Sequence, residues 1–189
     1  MRAPSWTAQA LINQNEGMLS TFSTQADYAA IDACLRVAMA PESLLSPSIE
    51  RESLARACLG MMADILGASP QNAYAWFVQA YFSKILGHEA GMNAALELSY
   101  LMGPNEQWIA EQRVLLAENV FSELSETAMR GHKQDLALLV QSQRGIRAIV
   151  QRYINDPRFR ARITDIVEGL PRDDQRRFLS TLQQEMRGH

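Results

Sequence analysis

Along most of the chain apolar residues return at intervals of three and four, which places them on one side of an α-helix. Over residues 25–40 the apolar set is Tyr28, Ile31, Leu35 and Ala38, with Cys34 at its border. Pro41 should end that helix, because proline pushes the residue before it out of helical geometry, and a loop is expected over Glu42–Ser46. Ser46-Pro47, a cap followed by proline at the first helical position, predicts a helix to about Leu66. Leu54, Cys58, Met61, Met62 and Ile65 line one side of it, and Gly67 reads as its left-handed cap. Ser69-Pro70 repeats the start signal. A helix over Gln71–Leu86 carries Ala73, Trp76, Phe77, Ala80 and Tyr81, and Gly87 ends it. A second, over His88–Met102, carries Met92, Ala95, Leu96, Ser99 and Tyr100, after which Gly103-Pro104 opens the next.

The same periodicity runs to the end of the chain. Residues 105–124 read as a helix with Trp108, Gln112, Leu115, Leu116 and Phe121 inward. Ser125 starts another, to about Gln143, with an apolar side of Leu136, Leu138, Leu139 and Val140 and a break at Gly131. Further helices follow over Ile146–Ile154, over 158–168 (Phe159, Ile163, Ile166, Val167) and over Asp173–Met186 (Phe178, Leu179, Leu182). Ahead of all these, Ser5, Trp6, Ala10 and Leu11 suggest a short N-terminal helix, joined by a Ser/Thr-rich link at 20–24. Every element reads as helix, so the fold class is all-α. The expected organisation is an N-terminal helix and link (1–24), a set of helical hairpins (25–143) and C-terminal helices (144–189) packed on the same single domain.

The stretch from Pro70 to Pro104 carries a family resemblance. The two prolines are 34 residues apart, one tetratricopeptide period. With Ala73 at the first position, Trp76 falls on the family's tryptophan, Ala80 on its small glycine-like position and Gly87 on the turn between helices. Leu96 falls on the bulky apolar position, Ser99 on the small one and Pro104 on the terminal proline. Gln79, Ser83 and Met92 depart from the usual leucine, tyrosine and alanine. The hairpin therefore resembles a tetratricopeptide repeat, and the resemblance implies a short, divergent, right-handed array of antiparallel helical hairpins with a protein-binding groove. Groove candidates on the first helix are Asn72, Tyr74, Gln79, Phe82, Ser83 and Lys84, of which Tyr74 and Phe82 could instead pack against neighbouring helices. Gly103-Pro104-Asn105-Glu106, with Trp108, Arg113 and the arginine-rich helices beyond, is also similar to tetratricopeptide-like proteins encoded with bacterial exopolysaccharide assembly systems. That similarity implies repeats held outside the cytoplasm by an N-terminal membrane helix.

Charge adds a second candidate surface. Residues 144–189 hold ten arginines against six acids, whereas residues 1–143 hold eight Lys or Arg against fifteen acids. Solvated helical faces account for such runs in most proteins. The alternative is a surface for nucleic acid or anionic glycan built from Arg144, Arg147, Arg152, Arg158, Arg160 and Arg162. Acids interrupt that run, and few aromatic side chains accompany it, which disfavours nucleic acid.

Chemistry-bearing motifs are sparse. Cys34 and Cys58 form no C-x-x-C pair, which argues against zinc. They read as buried free thiols or, if their helices lie antiparallel at matched levels, as a disulfide that would place the chain in an oxidising compartment. His88, His132 and His189 share no metal-ligand spacing and read as exposed polar residues. No G-x-S-x-G elbow, Walker loop or G-x-G-x-x-G is present. Asp173-Asp174 reads as charge at a helix N-terminus. The expectation is a non-catalytic interaction or scaffold module, possessing neither cofactor nor metal, that takes a peptide or helix of another protein in a groove. The alternative is the anionic-polymer binder. A membrane link is expected only through an anchor ahead of Met1, so a cytoplasmic and a periplasmic location both stay open.

Overall fold

A computed structural model describes residues 24–187. The N-terminal helix expected over 5–18, the link at 20–23 and His189 lie outside the described residues. Ten α-helices and one 3₁₀ turn are present, and no strand occurs among the described residues. The chain forms two compact units that divide between Met102 and Gly103. The division does not fall at 143/144. The helices just before 143 share one core with the arginine-rich helices that follow.

In the first unit, α1 (Thr24–Met39), α2 (Pro41–Leu45) and α3 (Ser48–Ala68) precede a hairpin of α4 (Ala73–Ile85) and α5 (Glu89–Met102). Pro41 does end α1, but it also opens α2 from the first helical position, where its missing N–H costs nothing, so Glu42–Leu45 are helical and not loop. Ser46 terminates α2, its hydroxyl donating to the Glu42 carbonyl at 3.0 Å, and Pro47 takes the N-cap position of α3. Gly67 lies inside α3, and the helix ends at Ser69, whose backbone is neither helical nor left-handed. Gly87 alone among the described residues has positive φ, +70°, which a glycine adopts without strain; it makes the α4–α5 turn. Asn72 caps α4, its Oδ1 accepting from the Ala75 N–H at 3.0 Å. The hairpin closes tightly and antiparallel, because Ser99 near the end of α5 donates its hydroxyl to the Ala73 carbonyl at the start of α4, at 2.8 Å. Ile31, Met62, Ile65, Phe77, Phe82 and Met92 are fully buried in this unit.

Cys34 and Cys58 are joined, with Cα atoms 6.0 Å apart, so α1 is fastened to α3. Tyr74 adds a second tie, its hydroxyl donating to Asp32 Oδ1 at 2.8 Å and its ring stacked on Tyr28. Burial first, and then the bond to Asp32, push the Tyr74 hydroxyl far above the usual tyrosine range.

The second unit contains α6 (Gln107–Asn119), a 3₁₀ turn (Phe121–Glu123), α7 (Glu126–Gln141), α8 (Gly145–Asn155), α9 (Pro157–Glu168) and α10 (Arg172–Arg187). Gly103-Pro104-Asn105 stays outside α6. Ile109, Val114 and Leu116 are the inward side chains of α6, whereas Trp108 and Leu115 are 43% and 52% exposed, so the buried face lies one position round from the expected one. α7 runs through Gly131 without a break. Ser125 caps α7 through Ala128 N–H, and Asp156 caps α9 through the Arg158 and Phe159 N–H groups. Those two N–H groups, Phe159 foremost, hold the Asp156 carboxyl below the usual aspartate range. Leu136, Leu139, Ile149, Phe159, Ile163 and Phe178 form the core; Leu179 points out at 53% exposure.

At the α7–α8 corner Ser142 Oγ accepts from the Gly145 N–H at 2.7 Å. A Cβ on Gly145 would meet Ser142 Oγ at 2.6 Å and Leu139 Cα at 2.9 Å. Gly145→Ala should therefore cost ~1–3 kcal/mol of stability, measured by urea unfolding; an unchanged midpoint would show that the corner has room. The bridge is expected to leave no alkylatable thiol in the unreduced protein, by mass spectrometry. Reduction should lower stability by about 3 kcal/mol on the loop-closure model, read as a lower melting temperature.

Candidate ligand-binding cleft

The second unit is organised around the carboxylate of Glu118, near the end of α6, whose side chain is completely buried. His132 of α7 donates from Nε2 to its Oε1 at 2.7 Å. Arg162 of α9 donates from Nε to the same oxygen at 3.4 Å and from Nη2 to Oε2. Arg152 of α8 brings Nη2 to 3.9 Å from Oε2 and also pairs with Asp156 at 3.7 Å. A single carboxylate thus ties four helices together. Burial alone would raise the Glu118 carboxyl, but the hydrogen bonds and charges of His132 and Arg162 outweigh it and hold the group below the usual glutamate value.

Five residues earlier on α6, Arg113 forms a buried fork with Asp135 of α7, Nε and Nη2 each 2.7 Å from a carboxylate oxygen. Its Nη2 also donates to the Gly103 carbonyl at 3.2 Å. Burial lifts the Asp135 carboxyl above the usual aspartate range, and the Arg113 fork works against that rise.

Beside this cluster lies a cleft of about 440 Å³. Its walls follow from helical spacing. α7 supplies Met129, His132, Lys133 and Leu136, which share a face at three- and four-residue steps. α9 supplies Arg162, Asp165 and Ile166 by the same rule, and Phe121 of the 3₁₀ turn adds an aromatic ring to the lining. The Arg162 guanidinium lies 4.1 Å from the Phe121 ring centre, a cation–π contact that fixes its plane. Phe121 also meets the His132 ring edge-on, with centroids 6.1 Å apart. His132 Nδ1 is buried and has no hydrogen-bond partner among the described residues. The cleft therefore offers a hydrocarbon wall with two cations against one acid. The chemistry that fits is grip on a group combining apolar surface and negative charge.

Of the sequence-derived groove candidates on α4, Tyr74, Phe82 and Ser83 are buried, so they cannot face a partner. Asn72 is occupied as a helix cap, Gln79 is half-buried, and Lys84 is exposed. The six arginines divide as well. Arg152 and Arg162 turn inward to Glu118, with 24% and 25% of their side chains exposed. Arg144, Arg147, Arg158 and Arg160 are exposed, and Arg160 donates to the carbonyls of Tyr153 and Ile154. Trp108, Leu115 and Gln112 do not form the inner face of α6.

Sequence reading missed Glu118 and His132. His132 is buried, contrary to the exposed role expected for it, and His88 is exposed. The signal was present. Ala128, Leu136 and Leu139 stand at −4, +4 and +7 from His132, so the histidine shares the apolar stripe of α7. Among the described residues no group of three or more His, Cys, Asp or Glu could hold a metal ion.

Removing the Glu118 charge leaves two guanidiniums and an imidazole around a dry, uncompensated position. Glu118→Gln should cost ~3–5 kcal/mol of unfolding free energy, measured by urea denaturation. Because the folded-state pKa lies below the ordinary 4.5, the Glu118 contribution is complete above that pH and is lost as pH falls through the lowered value. Asp135, raised from 3.8, acts in the opposite sense and is common to both proteins, so the difference between wild type and Glu118→Gln should shrink on acidification below pH 4.5. A pH-independent difference would contradict the assignment. Compared with known proteins, no family model, no curated sequence and no solved structure matches the chain.

Proposed function

We infer that this chain is a non-catalytic interaction module, a helical scaffold that takes a segment of another protein in the cleft between α7 and α9. The observation carrying this reading is the build of the cleft: side chains from two helices, an aromatic ring in the lining and a cation fixed by a buried carboxylate. A peptide or helix laid on such a surface finds apolar anchors and a charged rim, the usual composition of a recognition site. His132 supports binding over catalysis, because its Nε2 is committed to Glu118 and its Nδ1 is closed to solvent.

The tetratricopeptide-like reading of the α4–α5 hairpin keeps the support of the Gly87 turn and the close approach of Ser99 to Ala73. A role as an accessory of polysaccharide assembly outside the cytoplasm draws support from the Cys34–Cys58 bridge, since disulfides persist in oxidising compartments. The second reading is an anionic-polymer binder working through Arg144, Arg147, Arg158 and Arg160, and their exposure favours it.

Affinity capture from the source cells at low and moderate salt separates the two readings. The module reading expects a discrete protein that survives moderate salt and is lost from Met129→Trp, in which the added ring fills the cleft. Recovery of nucleic acid or glycan alone, falling steeply as salt rises, would replace it with the arginine surface. Retention of the partner by Met129→Trp would remove the cleft as the docking site.

A further inference from the structure

We propose that the group seated in the cleft is a carboxylate, carried by an acidic side chain that stands next to an apolar one in the partner segment. This rests on the cleft being the docking surface, and it names what that surface selects.

Charge balance is the first argument. Glu118 is one negative charge facing two guanidiniums and an imidazole. Asp156 relieves Arg152 of part of that excess, at 3.7 Å. Arg162 makes its close ion pair with Glu118 alone among the described residues, and Asp156 reaches it only through a weaker, longer-range attraction. The surplus positive charge is therefore on the side of the cluster that lines the cleft.

Donor geometry is the second argument. Arg162 commits Nε and Nη2 to Glu118 and leaves Nη1 without a hydrogen-bond partner among the described residues. The guanidinium cannot swing away, being held by Glu118 on one edge and by the Phe121 ring on its face. A fixed guanidinium edge with a spare N–H pair is a carboxylate receptor. Lys133, exposed on the adjoining part of α7 and in no ion pair among the described residues, adds a second cation to the same lining.

The third argument is the apolar part of the lining. Met129, Leu136 and Ile166 give the cleft an apolar side that a bare ion would leave uncovered. An acidic side chain with an apolar neighbour covers both. Asp165 is the one acid in the lining, so it opposes an incoming carboxylate and provides a control of opposite sign.

The test pans a randomised peptide library displayed on phage against the whole chain, then titrates synthesised winners by calorimetry. The enriched peptides should carry Asp or Glu beside Leu, Ile, Phe or Met. Replacing that acid by its amide in the peptide should weaken binding about ten- to hundredfold, the scale of a charge-assisted hydrogen bond. Lys133→Ala should weaken the same peptide roughly two- to fivefold, and Asp165→Asn should strengthen it by a similar factor. Circular dichroism melts of both variants check that they fold. Enrichment of neutral or basic peptides, no enrichment, or winners whose binding ignores Met129→Trp would each overturn the proposal. A cellular partner displaced by Met129→Trp but indifferent to Lys133→Ala and Asp165→Asn would leave the docking surface in place and remove the carboxylate.

Discussion

A carboxylate buried without partners is among the most unfavourable groups a protein interior can hold, and Glu118 is buried completely. The second unit answers that demand by bringing a side chain from each of three other helices to one point. The attraction recovered there is offset by the cost of drying several charges, so net stability from such a cluster is small compared with apolar packing of equal volume. Its effect is directional. Carboxylate oxygens accept along defined lines, and the fork of Arg162 fits them in few arrangements. α6, α7, α8 and α9 are therefore held at matched heights, in a way that interchangeable leucines would not enforce. Arg113 and Asp135 repeat the device between α6 and α7.

The cleft follows from this arrangement. α7 and α9 both send side chains to Glu118, and the residues one step round each helix, Lys133 and Asp165, are left at the rim of the space beside it. One of the two cations that line the cleft also neutralises the core, so structural and recognition roles meet in Arg162. That sharing limits how far the site can change: a substitution at Arg162 disturbs the buried carboxylate before it alters any ligand.

Helical periodicity made the all-α class and nearly all of the elements legible, and local chemistry placed several boundaries. Pro41 as a stop and Gly87 as a turn are properties of single residues, independent of distant contacts. The phase of α6 was not legible in the same way. Size and apolarity predict Trp108 as a core residue, yet it is Arg113, a charged residue, that shares the inward face with Ile109 and Leu116. Hydrophobicity cannot assign an inward face to a helix that buries an arginine and a glutamate, since each is tolerated only through partners on other helices. His132 differs: its place on the apolar stripe of α7 was legible, but its partner Glu118, 14 residues earlier, was not. Among the groove candidates on α4, Tyr74 and Phe82 pack inward, the alternative that the sequence left open for them. That helix is buried on most of its circumference, so departure from the main apolar stripe did not signify exposure for Tyr74 or Phe82.

The spacing of the ties along the chain has a consequence for synthesis on the ribosome. Cys34 and Cys58 are 24 residues apart and lie wholly in the first unit. Their bridge needs no residue of the second unit in order to close. Glu118 and Arg162 are 44 residues apart, and α10, which packs over the same core, follows later still. Until those helices emerge, the nascent α6 carries a carboxylate with part of its eventual company missing, and it stays hydrated. The first unit thus holds its own tie from an early stage of synthesis, whereas the second completes its buried cluster only once Arg152 and Arg162 have been made.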